Sequence, residues 1–226
     1  RQNQIISANN LGGDPSAAQS GIIIPSPGRL DEFYIFTQPR NTGSMQYSQF
    51  DMSGLGLQIG GTLIAPESGS TSETIGAPPH RNGRDFWIVT ADGSANTVLV
   101  YLLTPDGLSG PDIYPQQAVS PVPTSLGQVV FSSDSRRLLI SGHFANFWNF
   151  NTTTGELSDQ TPIDIGPNDY AYGSAFSPDD SKIYIQLYQP SPTVYQYDLN
   201  QNMVETQIGT MNSCTHGGAL SLAVDG

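Results

Sequence analysis

The segment Phe131-Ser132-Ser133-Asp134-Ser135, followed by Leu138-Leu139-Ile140, returns 45 residues later as Phe176-Ser177-Pro178-Asp179-Asp180, followed by Ile183-Tyr184-Ile185. Self-similarity at such a period is the mark of architectures that stack one small unit many times. Each copy continues into an aromatic stretch, Phe147-Trp148-Asn149-Phe150-Asn151 in one and Val194-Tyr195-Gln196-Tyr197-Asp198 in the other. Each then closes on turn formers, Thr154-Gly155 and Asn200-Gln201-Asn202. A second pair lies upstream, where Glu32-Phe33-Tyr34-Ile35-Phe36-Thr37 aligns with Asp85-Phe86-Trp87-Ile88-Val89-Thr90 at an offset of 53.

These runs are β-branched and aromatic, are separated by polar turns, and sustain no helical period, so they read as strands, and almost no helix is expected. Each unit reads as four strands, the innermost at residues 21–24, 73–77, 128–131 and 171–176. Four strands per 45 to 53 residues predicts an all-β fold, a β-propeller with four-stranded blades. The expected division is four complete blades, at residues 20–70, 71–122, 126–168 and 171–213, with partial blades at 1–12 and 217–226. One four-stranded sheet cannot bury both faces alone, so neighbouring blades must cover them. Trp87, Trp148, Tyr184 and Tyr195 are expected to fill the wedges between sheets.

Composition agrees. Charged residues are 12%, about half of the roughly 25% usual in soluble domains, and 24 Gly with 17 Pro supply many turns. A net charge of -12 has the wrong sign for gripping nucleic acid or an anionic membrane surface. Apolar runs such as residues 98–103 fall far short of the ~20 residues of a membrane-spanning helix, so neither nucleic acid nor membrane insertion is expected. Cys214, the single cysteine, has no partner for an intrachain bridge. The chain opens on Arg1 without Met or the pattern of a signal peptide. It is therefore expected to belong to a longer polypeptide, with residues 3–7 as the outer strand of a preceding blade and 219–225 as the inner strand and turn of a following one.

The segment Gln19-Ser20-Gly21-Ile22-Ile23-Ile24-Pro25-Ser26-Pro27-Gly28, leading to Phe33-Tyr34-Ile35-Phe36-Thr37, resembles the recurrent opening of a known group. So do Asp85-Phe86-Trp87-Ile88-Val89-Thr90, Ser94-Ala95-Asn96-Thr97 with Tyr101-Leu102-Leu103-Thr104, Tyr172-Gly173-Ser174-Ala175-Phe176-Ser177-Pro178-Asp179, and Gly217-Gly218-Ala219-Leu220. The group is the propeller regions of very large secreted Bacteroidetes proteins, of the kind exported by type IX secretion with a carboxy-terminal sorting domain. The resemblance covers nearly the whole chain. It implies an extracellular, cell-surface location and a structural or adhesive role. Ala91-Asp92 and Cys214-Thr215-His216 depart from the group's pattern, which bears on any shared ligand site and not on the fold.

The chemistry-bearing residues are few. His80, His143 and His216 stand in three different repeats, and no nucleophile elbow accompanies them. Cys214 with His216 supplies two of the four ligands zinc usually takes. Asp92-Gly93-Ser94-Ala95-Asn96 alternates oxygen ligands as a calcium loop does, but Thr97 and Leu103 replace its turn glycine and bidentate glutamate, so it reads as a hairpin turn. Asp179-Asp180 likewise reads as a turn. Gly12-Gly13 and Gly60-Gly61 lack the Lys-Ser or Lys-Thr of a phosphate loop and read as turn glycines. The inner-strand starts Gly21, Glu73, Gln128 and Ala171 do not form a ring of ligands. No catalytic, cofactor-binding or metal-binding residue is therefore expected, and no cofactor. The sequence reading is a noncatalytic structural or adhesive module of a very large surface protein (an adhesin, gliding component or appendage). Its expected partners are other domains of the same chain, neighbouring copies, or a surface glycan or protein. The alternatives are a propeller enzyme, either a lactonase or one acting on glycans and tested through Glu73, and a carbohydrate- or protein-binding module using the loops around residues 42–44 and 189–192.

Overall fold

The computed structural model describes residues 11–14, 16–38, 43–53, 56–62 (backbone), 71–92, 95–116, 127–166, 169–189, 191–212 and 216–222. Four antiparallel sheets follow one another along the chain. The first holds β1 (Gly21–Pro25), β2 (Glu32–Thr37), β3 (Gln46–Asp51) and β4 (Gly56–Thr62) in sequence order. β5 (Phe86–Asp92), β6 (Thr97–Thr104) and β7 (Gly107–Pro115) make the second. The third comprises β8 (Val129–Phe131), β9 (Arg137–Ile140), β10 (Ala145–Phe150) and β11 (Leu157–Ile163). In the fourth are β12 (Ala171–Phe176), β13 (Lys182–Leu187), β14 (Thr193–Asp198) and β15 (Val204–Thr210). Among the described residues the only helical element is a single 3-10 turn, Leu199–Gln201.

Strand alternation explains the packing. In β5, Ile88 points to the first sheet and joins Tyr34, Phe36 and Leu99, whereas Trp87 and Val89 point to the third and join Leu138, Ile140 and Trp148. In β9, Leu139 faces the fourth sheet and meets Ile183, Ile185 and Leu187. The result is three apolar layers, one between each pair of successive sheets, so the central sheets are covered on both faces as stacked blades require. Trp87 and Trp148 lie in these layers as expected and the half-buried Tyr195 packs against the third of them, whereas Tyr184 is half-buried and belongs to none of the three.

The second sheet departs from the expected four strands. Residues 73–77 form no strand, and the segment 73–79 touches β5 through two isolated bridges, Gly76 with Val89 and Pro79 with Phe86. Pro78 and Pro79 have no amide hydrogen to give a ladder, so the inner position is held by single contacts such as Gly76 N to Val89 O at 2.9 Å. Gly60 and Gly61 are not turn glycines: both lie within β4 opposite Tyr47, where the register shifts by a residue to make a β-bulge. Residues 219–222 carry no strand, and 3–7 and 223–225 lie outside the described residues.

The repeated Ser-x-Asp motif builds the same hairpin twice. Ser132 Oγ donates to Asp134 and accepts from Arg137 N, and Ser177 Oγ donates to Asp179 and accepts from Lys182 N. A left-handed residue completes each turn, Ser135 at φ 59° and Asp180 at φ 55°. The side chains of Ser177 and Ser181, with the Ser181 amide, hold the Asp179 carboxyl down at about 2.

Candidate functional site

β2, β5, β9 and β13 each start at the hairpin end of their sheet and run to the opposite end, the mouth. His143 follows β9 and Tyr188 follows β13, while Tyr170 and Tyr172 flank the start of β12, so all four rings collect at the mouth. They are tied there through the backbone, Ala171 N to Gly142 O and Tyr188 N to Tyr170 O, both 2.7 Å. Tyr172 stacks on Tyr188 at 5.3 Å between ring centroids, and Tyr188 stacks on His216 at 4.7 Å, with interplanar angles of 26° and 24°. His143 packs on Tyr170 at 3.9 Å. The tyrosines and His143 are half-buried and His216 is exposed, so the stack lies at the surface with Tyr188 in contact with both of the other rings.

The electrostatics are those of a partly dry surface. Burial lowers the His143 imidazole below its ordinary value, which keeps it neutral near pH 7. The Tyr172 phenol is raised, first by burial and then by the nearby Glu73 carboxylate and Tyr188. Glu73 is buried and accepts from the Ala18 amide at 2.9 Å.

Behind the rings lies a set of glutamines that the sequence reading missed. Gln19 Oε1 accepts from Ile75 N at 3.0 Å and Val129 N at 2.8 Å, while its Nε2 donates to Val129 O at 3.2 Å. One carboxamide thus joins the inner edges of three sheets. Gln128 Oε1 accepts from Ser174 N at 2.8 Å and Leu220 N at 3.2 Å, and Gln186 Oε1 accepts from Gly218 N at 3.0 Å. Gln38, fully buried, donates to Thr74 O and Thr90 Oγ1 and accepts from Thr71 Oγ1. The segment that presents His216 approaches so closely that a Cβ on Gly173 would fall 2.3 Å from Gly218 O.

Other candidates are placed elsewhere. His80 lies at the hairpin end, with its ring against Trp87 and its Nε2 2.9 Å from Thr153 O. Asp92 is buried and accepts from Ala95 N at 3.0 Å, so this carboxylate serves the β5–β6 turn; Gly93 and Ser94 lie outside the described residues. Asp180 reaches across to the third sheet, accepting from the amide and hydroxyl of Ser133. Cys214 is outside the described residues, as are Thr42 and Pro190 of the two candidate loops. Among the described residues no three His, Cys, Asp or Glu side chains gather to hold a metal ion.

No protein-family model and no curated protein matches the chain. Solved structures do. A proposed 6-phosphogluconolactonase from Bacteroides fragilis superposes with a TM-score of 0.57 at 14% identity, over 91% of this chain and 59% of its own. The dihydro-heme d1 dehydrogenase NirN gives 0.55 at 13%, over 87% and 38%. The Swd1 β-propeller domain of Myceliophteria thermophila gives 0.53 at 10%, over 86% and 61%. The chain therefore spans about 38 to 61% of these structures. At such identities the likeness is one of fold: the protein is all-β, its successive antiparallel sheets are stacked as the blades of a propeller, and among the described residues the sheets do not close into a ring.

Proposed function

We propose that this chain is a noncatalytic, adhesive part of a propeller in a large bacterial cell-surface protein, and that its mouth recognises a surface glycan. The observation that carries the reading is the Tyr172, Tyr188 and His216 ladder, a cluster of stacked rings at the surface of the kind on which the apolar face of a sugar ring packs. The glutamines behind it support the reading, because they fix the backbone that carries the rings and so lower the ordering cost of binding. The surface location rests on the sequence resemblance.

Titration of the chain with neutral methyl glycosides, followed by tyrosine fluorescence and calorimetry, tests this. Saturable binding is expected, weakened at least about tenfold by Tyr188→Ala. Equal binding by the variant would sink the proposal. A second reading, a lactone- or glycan-cleaving enzyme, draws on Glu73 beside Tyr172 and on the fold shared with the proposed lactonase. Turnover of a lactone or glycan panel that Glu73→Gln abolishes would establish it in place of the first.

A further inference from the structure

At the hairpin end, away from the mouth, a groove of about 480 Å³ runs between the second and third sheets. Arg81, in the loop before β5, and Arg136 and Arg137, where β9 begins, line it together with Asn149, Asn151 and Ser158. The whole chain has only 8 Lys and Arg against 20 Asp and Glu, so three guanidiniums in one groove reverse the local sign of the charge. Arg29, Arg84 and Lys182 each have a carboxylate partner, whereas Arg81, Arg136 and Arg137 form no ion pair among the described residues. Arg137 Nη1 donates to the Asp180 carbonyl at 2.8 Å, which ties that side chain to the β12–β13 turn of the fourth sheet.

The groove is also pre-set. Arg81 N donates to Thr152 O at 2.9 Å, and Trp87 Nε1 donates to the same carbonyl at 3.0 Å, so the loop of Arg81 is fastened to the turn after β10. Two carboxylates border the site. Asp134 accepts from Ser132 Oγ and Arg136 N, and Asp159 accepts from Asn149 Nδ2 and Ser158 Oγ. Burial raises Asp134, but the Ser132 hydroxyl, the Arg136 amide and the charges of Arg137 and Arg136 bring it below the ordinary carboxylate value. Its carboxylate therefore registers the positive field in the groove.

Three cations against two carboxylates leave about one net positive charge, spread among amide and hydroxyl side chains. That balance suits a monoanion rich in hydroxyl groups. A guanidinium pair takes one carboxylate through parallel hydrogen bonds, and Asp134 and Asp159 accept from hydroxyls while repelling a dense dianion. The volume is within the range of small-ligand sites. Phe150, the aromatic ring in the lining, is buried, so a neutral sugar has no ring face to stack on here. We propose that this groove binds an acidic sugar, with Arg81 and Arg136 holding the carboxylate and Asn149, Asn151 and Ser158 engaging ring hydroxyls. The site is independent of the mouth.

Calorimetry on the intact chain at low ionic strength, with glucuronate, glucose, inorganic phosphate and trigalacturonate, tests the assignment. Glucuronate is expected to bind at least about tenfold more tightly than glucose or phosphate. The double variant Arg81→Gln, Arg136→Gln is expected to lose at least about tenfold in glucuronate affinity with an unchanged melting temperature, since both side chains are exposed. Tyr188→Ala, which removes the mouth ladder, should leave glucuronate binding as it was. Tighter binding of trigalacturonate than of glucuronate identifies a uronate within a polymer as the source, and the reverse identifies a free sugar acid. Absence of glucuronate binding, equal binding of glucose, tighter binding of phosphate, or undiminished binding by the double variant overturns the proposal.

Discussion

Gln19→Leu is the most informative single change, because Leu nearly preserves the side-chain volume while removing every polar atom that joins three sheets. Two amide hydrogens, those of Ile75 and Val129, lose their acceptor, and Val129 O loses a donor. An orphaned buried amide costs about 1–3 kcal/mol. Gln19 is only half-buried, so water can reach part of the vacated site, which places the two amides at the lower end. The carbonyl, with a second lone pair to use, adds little. The expected loss is about 2–4 kcal/mol, a large share of the roughly 5–15 kcal/mol that stabilises a typical domain. Urea unfolding followed by both tryptophan fluorescence and far-ultraviolet dichroism measures it; Trp87 and Trp148 both report on the layer between the second and third sheets. If the midpoint falls with an unchanged slope, the bridge stabilises the native stack. A loss under about 1 kcal/mol would refute the reasoning, because the two amides would then have found other partners at little cost.

Three further outcomes are expected. Gly83 and Gly155 share positive φ angles of 71° and 75°, but nothing lies within 4 Å of a Cβ on Gly83, whereas one on Gly155 would sit 2.5 Å from the Trp87 ring. Gly83→Ala should therefore cost about 1 kcal/mol of backbone strain and Gly155→Ala about 1–3 kcal/mol more, with a shifted Trp87 emission; equal costs would mean that the ring yields freely. Asp180→Gly relieves the left-handed backbone but removes the acceptor for the amide and hydroxyl of Ser133, so thermal unfolding should show a net loss of about 1–2 kcal/mol, and a variant as stable as the parent would rule out a stabilising bridge between sheets. His143, lowered by burial, is protonated more readily in the unfolded chain than in the folded one. Its contribution to stability is complete above the ordinary imidazole value of about 6.5 and falls as the pH drops through the window between that value and the folded one; His143→Gln should flatten this part of the stability profile.

What the sequence made legible is what local pattern controls. β2, β5, β9 and β13 each carry their own alternation of large apolar residues, and the Ser-x-Asp hairpins repeat because one side-chain geometry closes both turns. The missing inner strand of the second sheet was legible in principle, since Pro78 and Pro79 stand where ladder donors are needed. The glutamine set was not. Gln19 and Val129 are 110 residues apart, and nothing in the neighbourhood of either signals that a carboxamide will replace a strand partner. The convergence of Arg81 on Arg136 and Arg137 has the same cause: it exists only once the second and third sheets stack. His143 and His216 stand out in the sequence only as members of different repeats; the tyrosines that each packs on, Tyr170 and Tyr188, become visible only in the fold.

The glutamines also constrain where any ligand can sit. Inner strands have no neighbour on their axial side, so backbone groups such as Ile75 N, Val129 N and Ser174 N must find acceptors there or stay solvated. Here Gln19 and Gln128 supply them, each spanning from one inner edge to the next two segments along the chain. Both proposed binding surfaces, the ring ladder at the mouth and the arginine groove at the other end, accordingly lie off this inner edge. Because the hydrogen bonds that fill the axis hold the backbone of the mouth but lie far from the groove, Gln128→Leu should weaken recognition at the ladder through loss of order while leaving glucuronate binding at Arg81 and Arg136 intact. Equal weakening at both ends would mean that the stack responds as one unit and that the two surfaces are not independent.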